Sequence, residues 1–229
     1  MGLLLHIDTA TEYASVCVTN DGAIIGFAEN ADQKNHGAFL QPAIKKLFNE
    51  SEFLLKNIDA ISVSNGPGSY TGLRVGLTSA KGLCYALKKP LITINTLEVM
   101  AMAAIKESNN NCKITQPKYF CPLIDARRME VFTAIYEANL NTILQPCAKI
   151  IDKNSFENYL KNDAILFSGN GHQKLKTVHE NANANYSSVQ HTAIHLSYLA
   201  ELYFSKKMFA NLAYCEPFYL KAFFLPIKT

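Results

Sequence analysis

Ser64-Asn65-Gly66-Pro67-Gly68-Ser69-Tyr70-Thr71-Gly72-Leu73-Arg74-Val75-Gly76 is the stretch whose reading decides the fold. The residues before it, Asp59-Ala60-Ile61-Ser62-Val63-Ser64, alternate around an apolar set and predict a strand. Gly66-Pro67-Gly68 ends that strand, because proline has no N–H for a ladder and glycine tolerates positive φ. Beyond it the period turns helical: Leu73, Leu77, Ala80, Leu83, Cys84 and Leu87 share one broad face. Gly72, Gly76, Ser79 and Lys81-Gly82 leave a nearly bare second side. A glycine inside a helix costs about 1 kcal/mol against alanine, so three of them need a physical reason. A helix N-terminus behind a glycine turn suits an anion. A flank of small residues lets a partner helix come close. The same flank could also fit the helix against its own sheet. The stretch lacks the lysine–serine/threonine ending of a Walker loop and the glycine spacing of a dinucleotide fingerprint.

Upstream, residues 3–8 read as a buried strand turned by Thr9-Ala10-Thr11-Glu12, and residues 14–18 as a second strand. Asn20-Asp21-Gly22 is a hairpin signal leading into a third strand at 23–27. From about residue 33 to 50 a helical face carries Phe39, Leu40, Ile44, Leu47 and Phe48, with Pro42 inside it as a kink or a late first turn. Downstream come a strand at 91–94 and a helix at about 96–106, for which Asn95 or Thr96 supplies a cap. The first lobe, residues 1–108, is thus βββαβαβα. The polar run from Asn109 to Pro117 marks a boundary or an exposed loop. A smaller α/β lobe follows at 109–229, with strands at 119–124 and 131–136 around Asp125-Ala126-Arg127-Arg128-Met129-Glu130. It continues with a short helix at 155–161, a strand at 164–167 and a turn at Ser168-Gly169-Asn170-Gly171 into another helix. A mobile loop at 181–185, a longer helix at 191–206 and an extended segment at 217–220 complete it. No short-period repeat is present.

The composition is that of a globular chain: 229 residues, 48% hydrophobic and 18% charged. The net charge of +3 and three arginines, Arg74, Arg127 and Arg128, are too diffuse to argue nucleic-acid binding unaided. Six scattered cysteines without a C-x-x-C point to a reduced, cytoplasmic setting. The amino terminus has no basic lead and reads as a strand, not a signal peptide, and no apolar run approaches membrane-spanning length.

With Ile7-Asp8-Thr9-Ala10-Thr11, the glycine stretch and Ala80-Lys81-Gly82-Leu83, the chain resembles the TsaB (YeaZ) family. Ile124-Asp125-Ala126-Arg127, Ser168-Gly169-Asn170-Gly171 and Glu216-Pro217-Phe218-Tyr219-Leu220-Lys221 agree more thinly. The resemblance implies an α/β, two-lobed ribonuclease-H-like fold of the actin-like ATPase (ASKHA) type. It also implies a place in the bacterial machinery that installs threonylcarbamoyl on the tRNA adenosine beside the anticodon. The partners so implied are a metal-binding TsaD-type catalytic subunit, a TsaE-type ATPase, tRNA through the complex, and a second copy of the chain when it is alone. No cofactor is implied for the isolated chain, and a nucleotide would lie at a subunit interface.

The related TsaD-type subunit carries Asn-His-x-x-x-His, whose histidines share a metal. The matching place here is Asn95-Thr96-Leu97-Glu98-Val99-Met100. Threonine and methionine are poor ligands for a hard or borderline cation, so neither a metal site nor a catalytic residue is expected. His191-Thr192-Ala193-Ile194-His195 is a true i, i+4 pair but lacks the glutamate of H-E-x-x-H and reads as structural. His6 reads as packed, and His36, His172 and His179 as surface or cap residues.

Asp8, Thr11 and Ser69 are the candidate phosphate contacts, although Ala10 stands where the ATPase loops carry glycine; the other reading of Asp8 is a cap on its own turn. The arginine cluster beside Asp125 could meet RNA phosphate or a partner's carboxylate, or form a surface pair. No spacing announces a nucleophile with its base. The resulting expectation is a non-catalytic scaffold. The resemblance places its dimer surface on the two long helices of the first lobe, at Phe39, Leu40, Leu47, Gly72, Arg74, Gly76, Ser79 and Ala80. The alternative is a small-molecule kinase or phosphohydrolase of the same superfamily, and a peptidase ranks last.

Overall fold

The structure, a computed structural model, describes residues 2–32, 35–110 and 117–221. Its first sheet holds β1 (Leu3–Asp8), β2 (Ala14–Asn20), β3 (Ala23–Asn30), β4 (Ala60–Ser64) and β5 (Leu91–Ile94), in the order β3-β2-β1-β4-β5. The first three strands are antiparallel neighbours, and β1, β4 and β5 run parallel. The second sheet holds β6 (Tyr119–Asp125), β7 (Glu130–Glu137), β8 (Thr142–Ile150), β9 (Ile165–Ser168) and β10 (Ala184–Tyr186), in the order β10-β9-β6-β7-β8. Taken from β8, this is the order and direction of the first sheet again. Two copies of one topology make the two-lobed, ribonuclease-H-like fold of the actin-like ATPases.

β1 is buried along its whole length because both of its faces are covered. Leu3, Leu5 and Ile7 meet α1 (His36–Asn49) and α2 (Tyr70–Leu87), joining Leu40, Ile44, Leu77, Ala80 and Cys84 in one core. Leu4 points the other way, into a cluster with Leu196, Leu199 and Ala200 of α6 (Ala193–Ser205) and Val99 of α3 (Thr96–Asn110). The opposite side of α3 packs Leu97, Met100, Ala104 and Ile105 on Phe120, Ile124 and Tyr136 of the second sheet. Beyond that sheet, the residues around α4 (Glu157–Leu160) and α5 (His172–Val178) bring Phe156, Leu160 and Leu175 onto Cys121, Leu123 and Phe167. Helices α3 and α6 therefore form the layer between the sheets. The expected division at residue 108 does not follow this packing. α6 and the segment after it return to the first lobe, where Ala210 bridges to Leu91.

Several element bounds differ from expectation. Helix α1 is described from His36, while Gln33 and Lys34 lie outside the described residues. Pro42 lies within α1, and Ala38, whose carbonyl it leaves without an i+4 donor, is exposed to solvent. Helix α3 runs to Asn110, and the polar run at 111–116, with Cys112, is outside the described residues. Asn95 caps α3, its Oδ1 accepting from Leu97 N at 2.9 Å. α6 starts at Ala193 because Thr192 caps it and His195 Nδ1 accepts from Thr192 N at 3.1 Å.

Strands β8 and β10 had no forecast. β8 is an edge strand with Pro146 and little alternation in burial, and β10 is three residues long, two of them inside the expected loop at 181–185. The five described cysteines are free thiols, and burial pushes Cys17, Cys84 and Cys121 up to about 12. Among the described residues no helix is long and apolar enough to cross a membrane.

Candidate functional site

The glycine stretch is fitted to its own lobe. A β-carbon on Gly68 would fall 2.1 Å from the Ala10 carbonyl oxygen, one on Gly72 2.1 Å from that of Thr9, and one on Gly76 2.3 Å from Thr9 Oγ1. Ser69 N donates to Ala10 O at 2.7 Å, and Thr9 Oγ1 donates to Gly72 O at 2.7 Å. The Gly72 and Gly76 part of the bare side of α2 is thus filled by the β1–β2 turn. This corrects the expected partner surface: Gly72 and Gly76 are buried, and so are Leu40, Leu47 and Ala80, which belong to the core beneath α1 and α2. Phe39, Arg74 and Ser79 keep some exposure. Arg74 lies 4.0 Å over the Tyr70 ring and donates through Nε to Tyr219 Oη at 3.3 Å. Gly82 has open space around it.

Of the candidate phosphate contacts, Thr11 and Ser69 line the cleft between the lobes, whereas Asp8 lies behind it, 1% exposed. Asp8 Oδ1 accepts from Ala10 N at 3.1 Å and from Ser64 Oγ at 2.5 Å. Its Oδ2 sits 3.5 Å from His191 Nε2, which is also 3.4 Å from Thr11 Oγ1. A carboxylate, an imidazole and a hydroxyl thus meet, but both contacts use the same ring nitrogen. A relay from hydroxyl to carboxylate needs two nitrogens, and Nδ1 faces Gln190 Nε2 at 3.5 Å instead. Burial holds His191 below its ordinary pKa, against the pull of Asp8.

His195, whose Nδ1 is bound to the α6 cap, does not face a shared ligand with His191. Among the described residues no group of three histidine, cysteine or acidic side chains could hold a metal. Thr96 is fully buried, its Oγ1 accepting from Gly66 N at 3.1 Å, and Met100 is part of the core. These two positions do not fit a metal.

Of the other histidines, His179 is the C-cap residue of α5, while His36 and His172 open α1 and α5; all three are buried rather than on the surface. His36 Nε2 donates to Thr11 O at 3.0 Å, and His172 Nδ1 to Gly169 O at 2.6 Å. His6 is packed, as expected, between Ser62 Oγ and Thr19 Oγ1 at 2.8 Å each, and burial lowers its pKa to about 3.

Two adjoining cavities, about 910 and 460 Å³, make up the cleft between the lobes. The β1–β2 and Gly66–Tyr70 turns form one wall and the β6–β7 turn the other. Asn170 ties the walls together, its Nδ2 donating to Glu12 Oε1 at 2.6 Å while its Oδ1 accepts from Asp125 N at 2.8 Å. The expected Asp125–arginine pair is replaced by Lys174 Nζ on Asp125 Oδ1 at 2.7 Å. Burial tends to raise the Asp125 pKa, but Lys174 and the Arg127 amide hold it below the ordinary value. Arg127 and Arg128 both have left-handed backbone, at φ 67° and 45°, a strain of roughly 1–2 kcal/mol per residue.

The segment Phe218–Lys221, whose motif alone does not place it, forms a strap along the cleft. Phe218 N donates to Asn65 O at 2.7 Å, Tyr219 packs on Tyr70 with ring centroids 5.4 Å apart, and Lys221 pairs with Glu130. Its only advance signal was the aromatic pair before a lysine. Phe132 and Ile150, on strands, and Met129, in the β6–β7 turn, also line the cleft; the two strand residues carry no signal because apolar strand residues read as core.

The family model described as TsaD, tRNA N6-adenosine threonylcarbamoyltransferase, matches residues 24–221. The chain is 34% identical over 140 residues to the tRNA threonylcarbamoyladenosine biosynthesis protein TsaB of Escherichia coli strain K12, covering 61% of this chain and 57% of that protein. It is 30% identical over 138 residues to the protein of the same name from Bacillus subtilis strain 168, covering 58% of this chain and 55% of the relative. The chain therefore spans little more than half the length of these curated relatives. The structure of YeaZ from Pseudomonas aeruginosa superposes with a TM-score of 0.83 at 23% identity, covering 96% of this chain and all of that one, a likeness of fold.

Proposed function

The chain belongs to the TsaB (YeaZ) family, within the wider threonylcarbamoyltransferase family, and we propose that it is a non-catalytic subunit of the tRNA threonylcarbamoyladenosine machinery. It pairs with a TsaD-type subunit, which performs the transfer. One observation carries this reading: the place of the paired histidines is occupied by Thr96, bound to the Gly66 amide, and by Met100, packed in the core. A hydroxyl committed to a backbone amide and a buried thioether leave no ligand set for a cation. A fold built for ATPase chemistry then serves as a surface.

That surface is the exposed side of α1 and α2, where Phe39, Ser79 and the open Gly82 remain after the buried positions are set aside. It joins two copies when the partner is absent. A TsaE-type ATPase and tRNA belong to the assembled complex, nucleotide lies between subunits, and the location is cytoplasmic. The kinase or phosphohydrolase alternative asks Asp8 to face a nucleotide, yet Asp8 is buried and bound to Ser64 and Ala10.

The test is a drop-out reconstitution. tRNA, ATP, threonine, bicarbonate and the partner proteins are combined with and without the chain, and the modified nucleoside is measured by mass spectrometry. Loss of product on omission, restored by the Asp8→Ala variant, supports the scaffold. Full product without the chain overturns it.

A further inference from the structure

Arg127 and Arg128 have no bond or ion pair to their guanidinium groups among the described residues, although both line the cleft between the lobes. The carboxylates around them are engaged: Asp125 holds Lys174, Glu130 holds Lys221, and Glu12 accepts from Asn170. The β6–β7 turn that presents the arginines is fixed by its own hydrogen bonds. Arg127 N donates to Asp125 Oδ1 at 2.7 Å, Ala126 N to Glu130 O at 3.0 Å, and Glu130 N to Arg127 O at 3.1 Å. Across the same cavity stand the half-open rings of Phe218 and Tyr219, 39% and 41% exposed. Uncommitted positive charge therefore faces aromatic surface inside about 910 Å³.

Planar guanidinium forks match the oxygens of a phosphate, and aromatic faces take an unstacked base. An acidic protein segment would use the first feature and leave the second unmatched. A duplex keeps its bases stacked and offers nothing to rings recessed in a cleft. We propose that the cleft is a docking site for a nucleotide of single-stranded RNA, its phosphate on Arg127 and Arg128 and its base against Phe218 and Tyr219. The choice of RNA over a free nucleotide rests on the proposed role in tRNA modification.

The experiment follows the fluorescence anisotropy of a short labelled single-stranded RNA, and of its duplex, with the full chain across a salt series. The single strand binds at least about tenfold more tightly than the duplex, because only it can unstack a base into the cleft. In Arg127→Ala/Arg128→Ala, affinity falls at least about tenfold, and the slope of log K against log salt shrinks by about 0.7, one single-strand phosphate contact. Tyr219→Ala weakens binding severalfold with the slope unchanged, as loss of stacking requires. Arg127→Lys/Arg128→Lys, which keeps the charge, retains most of the slope, and melting temperatures confirm that each variant is folded.

Equal binding of duplex, or an unchanged affinity and slope in the double alanine variant, overturns the site. Displacement of the RNA by millimolar ATP, or equally well by polyglutamate, overturns the RNA assignment. If the drop-out assay shows the chain to be dispensable while RNA binding tracks the two arginines, the tRNA role fails and the site stands. If the chain is required while the double variant binds RNA unchanged, the site fails and the role stands.

Discussion

Met100 and Gly169 fit together as methyl and hollow: a β-carbon built on Gly169 would fall 2.2 Å from Met100 Cε. Gly169 also has φ +84° and leaves no room beside the Leu123 carbonyl oxygen, 2.6 Å from the same β-carbon. Gly169→Ala should therefore destabilise the protein by roughly 2–4 kcal/mol, overpacking and left-handed strain together. A urea titration reads this as a lower midpoint with an unchanged slope. Met100→Ala in the same chain should recover little, since the backbone carbonyl cannot move aside as a side chain does. An unchanged midpoint in Gly169→Ala would show that the hollow is not as tight as it stands here.

Thr9 meets two glycines with different atoms, and this separates two substitutions one helical turn apart. Gly72→Ala drives a methyl into the Thr9 backbone oxygen and should cost about 3 kcal/mol. Gly76→Ala clashes with the Thr9 Oγ1 side-chain atom and touches Val63 and Ile7 at ordinary contact distance, so Thr9→Ala should relieve it. The expected double-mutant cycle couples Thr9 with Gly76 by roughly 1 kcal/mol in the rescuing direction, and gives no rescue for Gly72. Denaturation midpoints of the six chains decide the matter; equal rescue at both glycines counts against the geometry.

His6 makes stability depend on pH. Its folded-state pKa is about 3 against an ordinary 6.5, because burial disfavours the charged ring. Between those values the unfolded chain binds a proton that the folded chain does not, so stability is lost as pH falls below 6.5 and goes on falling toward 3. The slope for His6 is about 1.4 kcal/mol per pH unit. His195, lowered to about 4 first by burial and then by His191, works in the same direction. Melting temperatures measured from pH 7.5 down to 5 should drop progressively below 6.5, and a His6→Asn chain should drop less steeply. A curve that is level through this range would contradict the neutral, buried His6.

Ser79 and Gly82 lie on the part of α2 that remains open. If the proposed pairing surface is right, Ser79→Arg/Gly82→Arg should abolish the proposed pairing with a TsaD-type subunit, and the proposed self-pairing of the isolated chain, in size-exclusion chromatography with light scattering. Stability should change by no more than about 0.5 kcal/mol per site, as is usual for surface positions. Persistence of both pairings would move the partner surface elsewhere.

Local chemistry was legible in the sequence. The alternation before Gly66, the 3.6-residue period after it and the cap at Asn95 each depend on where neighbouring β-carbons point, which is a property of a few consecutive residues. That Thr96 and Met100 are poor metal ligands was equally legible, because that chemistry belongs to the residue types in any fold. Edge strand β8 and three-residue β10 escaped notice because a strand lacking a buried face carries little alternation.

Only the tertiary structure decided what each face meets. Gly72 and Gly76 could have faced a partner, an anion or their own sheet, and it is the β1–β2 turn, far away in sequence, that fills them. Asp8 could have faced a nucleotide, but Ser64 and the turn enclose it. α6 returns to the first lobe because its apolar face covers strands whose other side α1 and α2 already occupy. Periodicity says that a face is apolar or bare. The partner of that face is fixed by the crossings between distant segments, which no local pattern encodes.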